Sequence, residues 1–479
     1  MKTLVSNPLG VAPKPHGAGF SLCPHPARRL RSRNLNALLS SAIALTLSAC
    51  SMAPTYQRPE MAIPNGWAKV SGVGTSHEPN ATPFWRELGS ADLNQLVELA
   101  LAQNLDLEAA LYRIDQARAQ AKVAGAPLYP SIDASGSSSR LYGEANDTNA
   151  ARGGGSVSYE LDLWGKNRNQ AQSARHRTEA SQFDREALRL VVTSDVTNFY
   201  SQILSLNDRV HIAESNLKNA EEILRIIEAR FAQGAVSGLE VSQQRVAVNS
   251  FRTSLASLIE QRTTAANALA ILLGLAPQNF PASPAELAVL KMPQVNLTPP
   301  SDLLTARPDI ESAEAGLRAV NADIGAARAA FFPSLTLGLD STIAAGFGNP
   351  ASAATSLATS LLAPIFSGGR LTGNLENVSA RQKELAAQYQ KSVLTAFREV
   401  EDALAALKSA NDRAVLSRQT VSESQIAYDI AKARFDAGAI DYLTLLETQR
   451  SLYQAEDNQI SVNQGQLQAF VQLRKALGS

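Results

Sequence analysis

From Val192 to Phe231 the chain carries an unbroken ladder of apolar residues: Val192, Val196, Phe199, Ile203, Leu206, Val210, Ala213, Leu217, Ala220, Leu224, Ile227 and Phe231. The steps alternate between four and three. That is a period of about 3.5 residues, the seam by which α-helices supercoil left-handedly around each other. The ladder ends at Gln233-Gly234-Ala235-Val236-Ser237-Gly238, and a second helical pattern follows. The spacing predicts an antiparallel helical hairpin far longer than a globular helix. The rest of the chain has to supply helical partners of matching length.

The composition agrees with such a rod. Of 479 residues, 45% are hydrophobic and 18% charged, which fits a folded chain and excludes a disordered or collagen-like one. Only 6% are aromatic, and the many alanines of the helical segments let long helices approach closely. The compartment is written at the N-terminus. Residues 1–49 contain Lys2, Lys14, Arg28, Arg29, Arg31 and Arg33 and no acid, followed by the short apolar stretch Ala37 to Ala49. That stretch is too short to span a bilayer and reads as a secretory signal. It ends in Leu47-Ser48-Ala49-Cys50, which resembles a bacterial lipobox with Cys50 as the lipid attachment point. Ser51 in the next place favours the outer membrane by the same resemblance. The bland alternative is an ordinary signal peptide with an incidental cysteine. Cys23 lies in the removed segment, so the mature chain has one cysteine and no intramolecular disulfide. The six basic residues leave too, which gives the mature chain six more acids than bases. A nucleic-acid partner would call for a basic patch instead.

Residues 50–91 read as a linker. Pro54, Pro59, Pro64 and Pro83 stop helices, and Trp67, Phe84 and Trp85 can pin the strip to a surface. With Asp92 as N-cap, Leu96, Ala100, Leu107, Ala110, Ile114, Ala117 and Ala121 predict one helix over about 93–124. Gln103 is its one polar interruption. The period then changes to two. Val157, Tyr159, Leu161 and Leu163 alternate with Ser156, Ser158, Glu160 and Asp162, which is strand chemistry. Residues 128–139 form a weaker partner, with Ile132 and Ala134 apolar. Gly143, Asn146, Asp147, Asn149 and Gly153 to Gly155 read as the loop between. Residues 128–164 are therefore predicted as a β-hairpin. A long helical hairpin over 166–274 closes a first repeat, 92–274, with Gly274 as helix cap. Residues 275–306 are a Pro-rich linker. Arg307-Pro308-Asp309-Ile310 opens a new helix, with Pro308 in its first turn and Asp309 at its positive end.

The second half repeats the first. Tyr129-Pro130-Ser131 recurs as Phe332-Pro333-Ser334. Arg230-Phe231-Ala232-Gln233-Gly234 recurs as Arg434-Phe435-Asp436-Ala437-Gly438, and Leu273-Gly274 as Leu477-Gly478, at offsets of 203 or 204. Shifted by 204, the opening ladder lands on Ala396, Val400, Ala403, Leu407, Ala410, Ala414, Ser417, Val421, Ser424, Tyr428, Ala431 and Phe435. This duplication marks an internal repeat: 307–479, with a β-hairpin at 334–366 and a helical hairpin at 368–478. Leu335, Leu337 and Leu339 alternate with Thr336, Gly338 and Asp340, and Leu357, Leu361, Ala363 and Ile365 share a face. In the first half, the short helix at about 93–124 and the one after the turn at about 239–273 together approach the length of the long helix at 166–232, so the two short helices are expected to stack end to end against it. The chain is thus mainly α with a small β part. Four strands cannot close a barrel, and open strand edges cannot sit in lipid, so several chains must share one barrel. The bland alternative is a small soluble sheet capping a coiled coil.

Several stretches in order resemble the lipoprotein branch of the TolC-like outer membrane factors. They are the lipobox, Tyr56-Gln57-Arg58-Pro59, Phe84-Trp85-Arg86-Glu87-Leu88, Ala306-Arg307-Pro308-Asp309-Ile310 with Ala313-Glu314, Phe331-Phe332-Pro333-Ser334-Leu335, and the two Arg-Phe-x-x-Gly turns. The resemblance covers essentially the whole mature chain. It implies a homotrimer with a shared twelve-stranded transmembrane β-barrel and a long α-helical tunnel. It also implies outer membrane lipid around the barrel, a periplasmic adaptor (membrane fusion protein) and an inner-membrane RND-type transporter as partners, and an exit duct that does no chemistry. The same resemblance places adaptor docking at the helical turns, at Arg230, Gly234, Gly238, Arg434 and Gly438; the plainer reading is that the glycines only end helices. It places a pore constriction at Asp441, Thr444 and Glu447, where Thr444 stands in one of the acidic positions; a solvated Glu447 is the plainer reading. Beyond the lipid on Cys50 no cofactor is expected. His77, His176 and His211 have no metal-ligand spacing, and no nucleophile elbow, phosphate loop or zinc-protease motif occurs. The alternatives are a protein-secretion duct of the same fold and a lipid-anchored periplasmic coiled-coil scaffold with no pore.

Overall fold

A computed structural model describes residues 52–67, 74–75, 83–142, 148–281, 283–346 and 349–479. The signal segment and Cys50 lie outside the described residues. Seven long helices appear: α1 (Ala91–Gln103), α2 (Leu105–Gly125), α3 (Lys166–Ala232), α4 (Gly238–Leu272), α5 (Pro308–Ala329), α6 (Arg370–Asp436) and α7 (Tyr442–Leu477). Four long strands form one antiparallel sheet in the order β1 (Ser131–Leu141), β2 (Thr148–Leu161), β3 (Ser334–Gly346) and β4 (Asn349–Leu362). The helices α3 and α6 have 67 residues each, or about 100 Å at 1.5 Å per residue.

The apolar ladder of α3 is buried at Val192, Val196, Ile203, Leu206, Val210, Ala213, Ala220 and Ile227. Phe231, its last member, is half exposed because the helix ends beside it. A second buried face, which the heptad does not predict, holds Thr193, Thr197, Tyr200 and Leu204. It exists because α3 is packed from two sides, by α1, α2 and α4 and by α5 and α7. The twin ladder of α6 is buried from Ala396 to Ser417 and again at Tyr428, Ala431 and Phe435, with Val421 and Ser424 half-buried.

The short helices do stack end to end, and each joint is held by one side chain. At the first, Asn104 Nδ2 donates to the Leu272 carbonyl (2.9 Å). At the second, Arg307 Nη1 donates to the Ala476 carbonyl (2.9 Å). Gly274 (φ +70°) and Gly478 (φ +81°) pass so close to the opposite helix that a Cβ would lie 2.5 Å from the Gln103 oxygen and 2.6 Å from the Ala306 oxygen.

Several local expectations are corrected. The helix predicted over 93–124 is two helices. Asn104 breaks it, and its Oδ1 caps α2 by accepting from the Asp106 and Leu107 amides (3.0 Å each). The N-cap of α1 is Ser90, which accepts from the Leu93 amide, rather than Asp92. Leu93, Val97 and Ala100 carry its core contact, and Leu96 is half-buried. Asn149 and Gly153 to Gly155 belong to β2, not to a loop. Gly154 faces β3 so closely that a Cβ would sit 2.5 Å from the Ser341 oxygen; pairing across the repeat overrides the local turn preference. Ala363 and Ile365 lie beyond the end of β4, and Ile365 is 98% exposed.

Candidate functional site

Two regions are candidates: the helical turns farthest from the sheet, and the sheet itself. The turns after α3 and α6 share one geometry. Gly234 donates to the Phe231 carbonyl (2.9 Å) and Ala235 to the Arg230 carbonyl (2.9 Å). In the twin, Gly438 donates to Phe435 (3.0 Å) and Ala439 to Arg434 (2.8 Å). These pairs satisfy the last carbonyls of each helix and need a left-handed residue. Gly234 (φ +75°) and Gly438 (φ +72°) supply it. Gly238 does not belong with them. It opens α4, and a Cβ there would rest at an ordinary 3.9 Å from the Phe231 ring.

The two tips are tied to one another. The Arg230 guanidinium lies 4.7 Å over the Phe435 ring, a cation–π contact. The Tyr442 hydroxyl donates to Gln244 Oε1, and Gln244 Nε2 donates to the Ala220 carbonyl (2.6 Å). Burial pushes the Tyr442 phenol up to about 12. Farther along, Arg209 grips Asp457 with two hydrogen bonds (2.7 and 3.1 Å). Gln244 and Tyr442 escape sequence reasoning because each looks like an isolated polar or aromatic residue. The 204-residue offset that maps Gly238 onto Tyr442 was the available signal.

Asp441, Thr444 and Glu447 are all exposed at the start of α7. Asp441 is its N-cap, a role the sequence reading did not assign. Its Oδ1 accepts from the Thr444 hydroxyl (2.6 Å) and the Thr444 amide (2.9 Å), and these bonds hold its carboxyl below the ordinary aspartate range. Arg434 is exposed beside the second turn.

The sheet is amphipathic over the half nearer the helices. Ile132, Val157, Leu339 and Leu357 are aligned across its four strands, and the adjacent row is Asp133, Ser156, Asp340 and Ser356. Successive side chains point to opposite faces, so over that half one face is apolar and the other polar; the next row on the apolar face is Ala134, Gly155, Ser341 and Thr355. The apolar row is open to the surroundings: Ile132 is 79% and Leu357 81% exposed. The strands have 11, 14, 13 and 14 residues, enough to cross a bilayer, which takes about 9–11. Among the described residues the outer edges of β1 and β4 have no strand partner. Where sheet meets helices, Trp164 stacks on Phe332 at 4.8 Å and donates to the Pro333 carbonyl (2.8 Å). Among the described residues no helix is long and apolar enough to cross a membrane, and no group of three or more His, Cys, Asp or Glu could hold a metal ion.

Long coiled-coil hairpins joined to an amphipathic, open-edged sheet define the class of outer membrane channel with a helical tunnel. The chain belongs to the outer membrane efflux protein family, whose model matches residues 96–275 and 300–479. The two matched segments lie 204 positions apart, the offset of the internal repeat. The pyoverdine export outer membrane protein OpmQ of Pseudomonas putida is 39% identical over 91% of this chain and 96% of its own. A crystal structure of a membrane protein from Pseudomonas aeruginosa superposes with a TM-score of 0.82 at 32% identity, covering 90% of this chain and all of that one. A crystal structure of CusC does so with a TM-score of 0.79 at 30% identity, again over 90% of this chain and all of that one. CusC of Escherichia coli is a cation efflux system protein. This chain is accordingly an outer membrane efflux channel.

Proposed function

We propose that three copies of this chain form the exit duct of a tripartite pump, passing cargo handed over by an inner-membrane transporter of the RND type through a periplasmic adaptor. The observation that carries this reading is the four-stranded sheet with one apolar face and two open edges. Such a sheet cannot stand alone in lipid; joining β4 of one copy to β1 of the next removes every edge, and three copies give twelve strands. The helical layer supports the same closure. Leu394, Leu416, Ile426 and Ile430 of α6 and Leu105, Tyr112, Leu239 and Val246 of α2 and α4 are 51% to 67% exposed in the single chain. A heterologous ring would bring these flanks together. The scaffold alternative leaves the apolar rows of the sheet without a purpose, and no observation favours a protein-secretion duct.

Cys50 is the proposed lipid anchor. Ala53, three residues later, rests on Gly325 near the sheet end of α5, and three residues of chain reach at most about 10 Å. A lipid there would enter the membrane that holds the sheet. Replacing Cys50 with Ser removes fatty-acid labelling on this reading; retained labelling refutes it. The tip turns are the proposed adaptor contact. Relatives named for pyoverdine export and for cation efflux are each similar over more than nine-tenths of this chain, which supports assigning cargo choice to the transporter. Extraction of an oligomer from outer membranes that runs as a trimer until heated, and its conductance in planar bilayers, test the duct; a monomer without conductance overturns it.

A further inference from the structure

The strip that follows Cys50 does not wander. It lies antiparallel to α5, between α5 and α6, and the contacts that hold it converge on one buried carboxylate. Glu314 is 4% exposed. Its Oε2 accepts from Arg58 Nη2 at 2.5 Å, and its Oε1 accepts from the Tyr56 hydroxyl at 3.3 Å and forms an ion pair with Arg318 Nη2 at 3.3 Å. A carboxylate at that burial is costly unless its lone pairs are filled, and two of its three partners come from the strip. The strip needs Glu314 in return. Burial beside Glu314 pushes the Tyr56 phenol far above its ordinary value. Toward the sheet, Asn321 Nδ2 donates to the Pro54 carbonyl (2.7 Å), and a Cβ on Gly325 would collide with Ala53 at 2.7 to 2.8 Å. Away from it, Gln390 Nε2 reaches the Glu60 carbonyl (3.4 Å), and the Trp67 indole donates to the Thr298 carbonyl (2.6 Å).

We infer that Glu314 is the positioning residue that receives Tyr56-x-Arg58 and thereby fixes the level at which the N-terminal end of the mature chain meets the membrane. The order of contacts is a ruler. Ala53, Pro54 and the Tyr56-x-Arg58 pair meet Gly325, Asn321 and Glu314 in reverse sequence, and only one register pairs the phenol and guanidinium with the same carboxylate while leaving Ala53 over the glycine. A residue that merely filled space could not select that register. The inference rests on the anchor reading of Cys50 only for its purpose; the docking of the strip stands apart from it.

Cleavage after Glu60 by glutamyl endopeptidase, on the full-length trimer in detergent, tests this. Glu60 is held against α6 when the strip is docked. Arg58→Gln, which alters only the strip, and Glu314→Gln are each expected to accelerate that cleavage roughly tenfold, the equivalent of one charged hydrogen bond. The double variant is expected to be no faster than the quicker single one. Trimer mass and Cys50 labelling are expected to be unchanged in Arg58→Gln. Single variants that cleave at the wild-type rate, or a double variant whose acceleration is the product of the two, overturn the role of Glu314. Loss of Cys50 labelling in the otherwise unaltered chain would instead overturn the anchor and leave the docking intact.

Discussion

Three glycines at the tips look alike and are held differently. Gly234 and Gly438 occupy a left-handed conformation that costs other residues roughly 1–2 kcal/mol, while Gly238 sits in an ordinary helical one. Gly234→Ala and Gly438→Ala are expected to speed amide exchange at Ala235 and Ala439 about fivefold or more; Gly238→Ala should leave exchange at Leu239 unchanged or slower, by the helix preference of alanine. Equal effects at all three positions would contradict the assignment. Asp441 makes a pH prediction at the same scale. Its folded carboxyl ionises below the unfolded one because Thr444 hydrogen-bonds it. The cap is complete above the ordinary aspartate range, about 3.9, and is lost as the pH falls through the depressed value. Asp441→Asn keeps an acceptor and should abolish that pH dependence of Thr444 amide exchange; Asp441→Ala should give fast exchange at every pH.

The stacked joints are the features that make short helices equal to a long one. Arg307 is buried and divides its fork between both Asp309 oxygens (3.0 and 2.7 Å), Glu399 (2.8 Å) and the Ala476 carbonyl. Burial opposes ionisation of Asp309, but the hydrogen bonds and charge of Arg307 outweigh it and hold that carboxyl below its ordinary range. Arg307→Lys cannot reproduce the fork and is expected to cost about 2 kcal/mol, seen as a lower urea midpoint. Gly274→Ala adds both left-handed strain and a backbone collision and should cost more than Gly316→Ala, where a Cβ meets nothing within 4 Å. The ladder at 192–231 and its twin could be read from sequence because a coiled-coil seam is local and periodic. The second face of α3 could not, since Thr193 and Thr197 look like solvated residues until a second layer covers them. The joints could not either: Asn104 and Leu272 are 168 residues apart, Arg307 and Ala476 169, and no local spacing announces either pair. For the same reason Gly153 to Gly155 read as a loop, although they lie in β2, where Gly154 meets the strand from the other repeat too closely for a side chain.

At the scale of the molecule, one chain is an unfinished object. Among the described residues its sheet has two open edges, its outer helices carry apolar flanks, and its two tips are bound to each other through Arg230, Gln244 and Tyr442. The last point bears on opening. The ties place Phe435 and Tyr442 in one buried cluster with Ile227 and Phe251. Relative motion of the hairpins within a chain therefore requires breaking the Tyr442–Gln244 bond. Tyr442→Phe is expected to raise the open fraction of the channel, while disulfides that join the second hairpins of neighbouring copies near Asp441 should block transport; transport unimpaired by such links would count against a gate there. The central claim, that the sheet is one part of a shared pore, is tested most directly by single-channel recording of the purified oligomer in planar bilayers. The unheated trimer is expected to give discrete conductance steps and heat-dissociated chains none. A pure trimer that inserts without steps, or a monomer that conducts, would contradict it.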